Sequence, residues 1–450
     1  MLGLAHRLDP VSISDDDYAR VVIAQRFAEA ASLDPSGTSW LPLPFWLTGA
    51  AMRLFGASLL VARWVQVATS VGAALLLFGA ARRLGCGRWF AVASALLTAL
   101  LPTLRPLQLA TVPEYWTAAL ATYGLSTLVV RPSEPDTSTS HESIFGALAL
   151  AAATLCRYEI WPLAGGFAIA CLTWRDIGRR GAALLACAGM LAWCAHGWWA
   201  HGSPFFFIAR VAHYKAALDG GTASWGEALL GYPVALLTRE PEVTAACLAA
   251  VAWGAFRGRV ALLPPLALGL AVLIWGDVRG GTPTHHPERA LLTYWMLAVP
   301  LSLATLTRLA GRWGRRETAA LVLGAALVAT GTYWLRARRE PTYYVERHDE
   351  QAIGTLVARQ LAPSERVTLA TDDYGYLAIQ AAAGHPDRFV IADHHDPRAQ
   401  RITASPVSHA FAVARASGTP YLVIPVCWDL DQVETLTHSA DFRLVRLKSP

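Results

Sequence analysis

The chain is poor in charge. Only 16% of its 450 residues are Asp, Glu, Lys or Arg, against about 25% in ordinary soluble domains. Lysine is nearly absent: Lys215 and Lys448 are the only ones, so almost every cation is an arginine. The formal charge of +5 is too small for this length to indicate a nucleic-acid partner. Paired cysteines are missing too. The seven cysteines are an odd number, with no CxxC and no Cys/His zinc spacing, which argues against a disulfide framework or a metal-thiolate site. Cys86, Cys156, Cys171, Cys187, Cys194 and Cys247 lie in or beside apolar stretches, where thiols act as small hydrophobes. Cys427 stands alone near the end. Finally, no hydrophobic run or signal peptide precedes Met1–Phe55 to carry it across a membrane. A first span missing from the reading frame is the expectation.

What is abundant is apolar: 54% hydrophobic residues and 17 tryptophans, with a mean hydropathy of +0.35. A helical span needs about 20 mostly apolar residues, and flanking arginines can snorkel. Charge-free windows recur from Val65–Ala81 to Thr318–Leu335, giving an expected fold of about ten transmembrane helices. Arginines gather in short loops at Arg82–Arg88, Arg175–Arg180, Arg257–Arg259 and Arg308–Arg316. All four loops fall on one side, which the positive-inside rule makes the cytoplasm. That parity requires Ser143–Cys156 and Ile160–Trp174 to be separate spans turning at Arg157-Tyr158-Glu159. Met1–Phe55, the turn before Glu114, the long loop His201–Glu242, the loop Asp277–Arg289 and everything after Leu335 then lie outside. Arg336, Arg338 and Arg339 run against the rule.

Beyond Leu335 the composition becomes that of a soluble domain. Arg347–Leu361, Tyr376–Ala383 and Val407–Ala416 have helical periodicity, and Arg366–Ala370, Arg388–Ala392, Tyr421–Pro425 and Phe442–Leu447 read as short strands. The expectation is a small α/β domain with a parallel or mixed sheet. The chain thus divides into a first outer segment with amphipathic helices (residues 1–57), a helical membrane domain (58–335) and an extracytoplasmic α/β domain (336–450). His394-His395-Asp396 reads as a solvated loop more readily than as a metal site.

The polar residues assigned outside carry the candidate chemistry. Ser14-Asp15-Asp16-Asp17-Tyr18 sets three carboxylates side by side. Ser14 or Asp15 would cap a helix over Asp16–Ala31, and a cap still leaves a carboxylate free for other work. Glu114 opens a span after Pro113, where a carboxylate also suits the helix dipole. Arg157, Tyr158 and Glu159 sit at a tight turn, and ionisable groups at membrane depth are functional candidates. His213-Tyr214-Lys215 is a basic-aromatic cluster. His285-His286-Pro287-Glu288-Arg289 precedes a span, where Arg289 could hold a lipid phosphate and the histidines a cation or a carboxylate. Together they suit an anionic, lipid-anchored substrate, with a carboxylate doing acid/base work on an acceptor hydroxyl.

Ser14–Arg20 (SDDDYAR), Trp40–Pro44 (WLPLP), Arg157–Trp161 (RYEIW) and His286–Arg289 (HPER) resemble the GT-C superfamily of polytopic glycosyltransferases, nearest the protein O-mannosyltransferases and lipid A aminoarabinose transferases. The resemblance implies a multi-pass protein of the cytoplasmic (inner) membrane. It implies transfer, by an inverting route, from a polyprenyl-phosphate sugar to a protein, lipid or glycan acceptor outside. On this likeness Asp16, then Asp15, matches the catalytic base, and Glu114 a second acidic residue. Arg289 is the first candidate for the donor phosphate, with Arg157, Lys215, His286, Tyr158 and Glu159 around the substrate. A divalent cation on Asp15, Asp17 or His285 would fit some members. The rival reading is a transporter or flippase of a lipid-linked saccharide, which predicts inverted repeats and broken helices; no convincing repeat is visible.

Overall fold

Apolar windows become helices because only a helix satisfies its own backbone N–H and C=O groups where water is scarce. A computed structural model describes residues 12–129, 136–173, 177–219, 223–279, 287–310, 345–371, 374–392, 406–428, 430 and 432–448. Helices α1 (Asp16–Glu29) and α2 (Leu43–Phe55) come first. They are followed by α3 (Leu59–Arg83), α4 (Arg88–Leu100), α5 (Glu114–Ser126), α6 (Asp136–Thr154), α7 (Ile160–Leu172) and α8 (Ile177–His201). Then come α9 (Phe206–Asp219), α10 (Trp225–Arg239), α11 (Pro241–Ala252), α12 (Leu263–Val278), the short α13 (Pro287–Ala290) and α14 (Leu292–Ala310). The apolar windows up to Ala290–Thr307 each fall on a helix; Thr318–Leu335 lies outside the described residues.

Among the described residues, three helices are long and apolar enough to cross a membrane: Leu59–Arg83, Arg180–His201 and Val260–Val278. Arg88–Leu100, Ile160–Leu172 and Pro241–Ala252 are apolar but shorter. Large apolar side chains such as Trp64, Leu75, Leu184, Leu230 and Trp275 point outward from the bundle, as expected of a surface whose solvent is lipid.

The segment His201–Glu242, expected as a loop, instead contains α9 and α10. The signal was local: Ser224 and Glu227 form a reciprocal capping box that satisfies otherwise orphaned amides. A nearly charge-free run follows and buries Ala228, Tyr232 and Ala235. Helix α5 is the centre of the bundle, buried from Glu114 through Ala119 and again at Ala121, Thr122 and Gly124–Ser126. Small residues allow close approach to its neighbours; Gly124 lies against Leu150 and the Gly146 carbonyl of α6.

The two ends of the bundle differ in chemistry. At one end Arg259 donates to the carbonyls of Ala255 and Leu84, and Arg83 pairs with Glu142. The loop after α3 therefore meets the loop before α12, in keeping with the shared side read from the arginines. The other end gathers the acidic first turns of α1 and α5.

The C-terminal region carries α15 (His348–Gln360), α16 (Tyr376–Ala383) and α17 (Pro406–Ser417) around a five-stranded sheet. Strand order is β2-β1-β3-β5-β4: Phe389–Ile391, Val367–Leu369, Tyr421–Pro425, Phe442–Leu447 and Val433–His438. The first three are parallel, and β5 is antiparallel to both β3 and β4. The sheet is mixed, and β4 is the strand the periodicity missed, because its pattern is largely exposed. Alternation divides the sheet: Val367, Leu369 and Val423 face α15 and α16, while Leu422 and Ile424 face α17. This unit docks on α1. Ala378 and Ala381 of α16 pack with Tyr18, Val21 and Val22, and Gln25 Nε2 donates to the Ala381 carbonyl at 2.9 Å.

Candidate active site

The three aspartates at the start of α1 share a favourable helix terminus but have different surroundings. Asp17 is 2% exposed. Its Oδ2 accepts the Ile13 and Ser14 amides, each at 3.1 Å, and its Oδ1 accepts the Thr111 amide at 2.9 Å. The side-chain cap expected from Ser14 or Asp15 does not form; Asp17 instead reaches back to the amides that precede the helix. Asp15 makes no capping bond; its two oxygens accept from Arg347 Nε and Nη2 at 3.0 and 3.1 Å. A bidentate, charge-assisted pair outcompetes a neutral amide for that carboxylate. Asp16 is exposed and makes no hydrogen bond or ion pair with a described residue. Burial pushes the Asp17 carboxyl up from 3.8 to about 7, against the pull of its amide hydrogen bonds.

Arg20 stands four residues after Asp16 and so shares its face of α1. Its guanidinium lies 4.4 Å from the Trp40 ring and 5.8 Å from the Phe45 ring. That pairing explains the local use of Trp40-Leu41-Pro42: the chain rises from α1 and lays an aromatic shelf under Arg20 before α2 begins.

Glu114, at the start of the central helix, is 2% exposed. Arg157 Nη1 donates to its Oε1 at 2.5 Å, and Arg289 Nη1 lies 3.7 Å from the same oxygen. Arg157 Nε donates to Glu159, so one guanidinium bridges two glutamates. The charge of Arg20 also acts on Glu114, and that of Asp16 acts on Arg20 and Arg157. Three buried polar atoms of this cluster lack a hydrogen-bond partner: Glu114 Oε2, Glu159 Oε2 and Arg20 Nε. Unpartnered buried atoms are costly and rare, and their grouping marks a place for a ligand or water.

Tyr158 belongs to an adjoining aromatic wall. It stacks on Phe207 at 4.1 Å and accepts a hydrogen bond from Trp193 Nε1 at 3.2 Å. An apolar groove of about 610 Å³ runs between α3 and α5, lined by Thr69, Gly72, Leu75, Leu76, Trp116 and Tyr123 among others. Trp116, Leu120 and Tyr123 are the α5 residues that line it.

The structure thus brings together Asp16, Glu114, Arg157, Glu159 and Arg289 with Asp17 and Arg20. It draws Asp15 to Arg347 and Tyr158 to the aromatic wall. Lys215 falls on α9; His285, His286 and the His394-His395-Asp396 segment lie outside the described residues. The oxygens of Asp15 accept from Arg347, and those of Asp17 from backbone amides. Arg20 was legible as the i, i+4 partner of Asp16. Arg347 and Thr111 were not.

The fold, though not the sequence, is similar to that of solved membrane-protein structures. Similarity extends over 97% of this chain and 94% of ArnT from Cupriavidus metallidurans in the apo state, at a TM-score of 0.58 and 15% identity. The same protein bound to undecaprenyl phosphate gives 0.56 and 13%, with the same coverage. The archaeal oligosaccharyltransferase AglB from Archaeoglobus fulgidus, in complex with an inhibitory peptide and a dolichol-phosphate, gives 0.51 and 15%. That match covers 91% of this chain and 65% of AglB. No family model and no curated protein matches the sequence.

Proposed function

We propose that the chain is a membrane glycosyltransferase that moves a sugar from a polyprenyl-phosphate donor to an acceptor hydroxyl on the extracytoplasmic face. The observation that carries the reading is the set of arginines, Arg20, Arg157 and Arg289, around Glu114 and beside the exposed Asp16. The solved relatives of this fold that hold undecaprenyl phosphate and dolichol-phosphate support a lipid-phosphate ligand. The apolar groove between α3 and α5 supports the binding of a lipid chain.

The chemistry needs two things. An acceptor O–H must lose its proton as its oxygen attacks the anomeric carbon, and the phosphate must leave with the electron pair of the breaking C–O bond. Asp16 serves as the base, because it alone of the triplet is exposed and makes no hydrogen bond or ion pair with a described residue. Arg289 meets the leaving phosphate, since its contact with the described residues of the cluster is the long 3.7 Å approach to Glu114. Arg157 holds Glu114 and Glu159 in register and adds positive charge. Attack opposite the leaving group makes the transfer inverting. In this reading residues 1–57, 58–335 and 336–450 act as acceptor-side segment, membrane domain and extracytoplasmic domain of an inner-membrane enzyme.

The test is incubation of the purified chain, in lipid, with labelled polyprenyl-phosphate sugar. Release of polyprenyl phosphate with transfer to an acceptor supports the reading. Movement of the intact donor across the bilayer without transfer would make the protein a flippase instead.

A further inference from the structure

On the rim beyond the aromatic wall, three side chains with metal-ligating atoms meet without serving any role assigned so far. Asp34 comes from the loop between α1 and α2, and His196 and His201 from the last turns of α8. One ligand atom from each lies within 4.8 Å of the other two, and Asp34 Oδ2 is 4.0 Å from His201 Nε2. We propose that Asp34, His196 and His201 form a binding site for a zinc-class divalent cation that ties the first outer loop to the end of α8.

Independent observations point the same way. Both ring nitrogens of His196 are buried and have no hydrogen-bond partner. A buried imidazole normally satisfies at least one nitrogen, so this one lacks the partner that a metal would supply. Asp34 is prepared as a ligand. Its Oδ1 accepts from Ser36 Oγ and the Gly37 amide, each at 3.1 Å, leaving Oδ2 towards the histidines. The rings are also held in place: His196 stacks on Trp193 at 4.9 Å and His201 on Phe206 at 4.1 Å. The C-terminal end of α8 adds the negative pole of a long helix, which favours a cation.

Two imidazoles and one carboxylate are a borderline donor set that suits zinc better than magnesium or calcium. In a tetrahedral zinc site ligand atoms sit roughly 3.3 Å apart, so closure from the present spacing requires side-chain movements of about an ångström. Three ligands leave the fourth position to water. The consequence is mechanical. The clamped loop also carries Trp40, the shelf under Arg20, and Arg210 already donates to its Gly37 carbonyl at 2.6 Å. Metal binding at this site is separate from the transferase reading and is measured without substrate.

The experiment uses the full chain in detergent, stripped with chelator and dialysed against zinc. Elemental analysis should find about one zinc per chain, and cobalt(II) loading should give the intense visible d–d bands of a four-coordinate site. Asp34→Asn and His196→Gln, which keep shape and polarity, should lose the zinc and the bands. Added zinc should raise Tm in the wild type and leave it unchanged in both variants. Wild-type protein that retains no zinc above background overturns the proposal, even if a variant fails to fold. Zinc content unchanged in both variants overturns it as well.

Discussion

Burial raises the Asp17 carboxyl from 3.8 to about 7, so the folded chain holds a proton there that the unfolded chain has released. Stability from this residue is therefore complete below about pH 4 and is lost as pH rises towards 7. The slope is at most about 1.4 kcal/mol per pH unit. Asp17→Asn cannot ionise and loses that slope, although it weakens the bonds to Ile13, Ser14 and Thr111. The difference in Tm between wild type and Asp17→Asn should shift in favour of the variant as pH rises across this window. A pH-independent difference would contradict the assignment. Arg289 makes a separate prediction. Arg289→Ala should raise the donor KM or lower turnover, and Arg289→Lys should recover only part, because lysine lacks the planar fork. Unchanged kinetics in Arg289→Ala would remove it from the donor site.

At the scale of elements, packing against α7 depends on residues too small to carry chemistry. An added Cβ on Gly166 would overlap the backbone of Pro265 in α12. Gly166→Ala should lower stability by about 1–3 kcal/mol through overpacking, read as a fall in Tm; an unchanged Tm would show that the two helices separate freely. The helices and most strands were legible because their signals are local: charge-free windows, short apolar runs in Tyr421–Pro425 and Phe442–Leu447, and punctuation by Pro and Gly. The acidic cluster was legible in part, since Asp16 and Glu114 stand at helix starts where carboxylates are expected. Its wiring was not. Thr111 binds Asp17 from 94 residues away, and Arg347 takes Asp15 from 332 residues away. No periodicity reports such pairings, because they are decided by how α1 is held between the bundle and the C-terminal sheet.

For the whole molecule, the segregation of arginine loops at one end and the Asp16–Glu114 cluster at the other predicts a fixed orientation. Cys427 provides a natural reporter, being the exposed cysteine while the other six are buried or half-buried. A membrane-impermeant maleimide applied to spheroplasts should label the wild type and not Cys427→Ser. Labelling only after permeabilisation would put the C-terminal domain in the cytoplasm and reverse the proposed topology. The central claim, transfer driven by an exposed carboxylate beside a phosphate-binding arginine cluster, is tested most directly by one rate. Asp16→Asn keeps the shape of the side chain but removes the proton acceptor. Its turnover of a polyprenyl-phosphate sugar should fall about 100-fold or more, with binding of polyprenyl phosphate unchanged. Turnover equal to wild type would contradict the account, leaving the aspartate triplet as a helix terminus and shifting the base to Glu114.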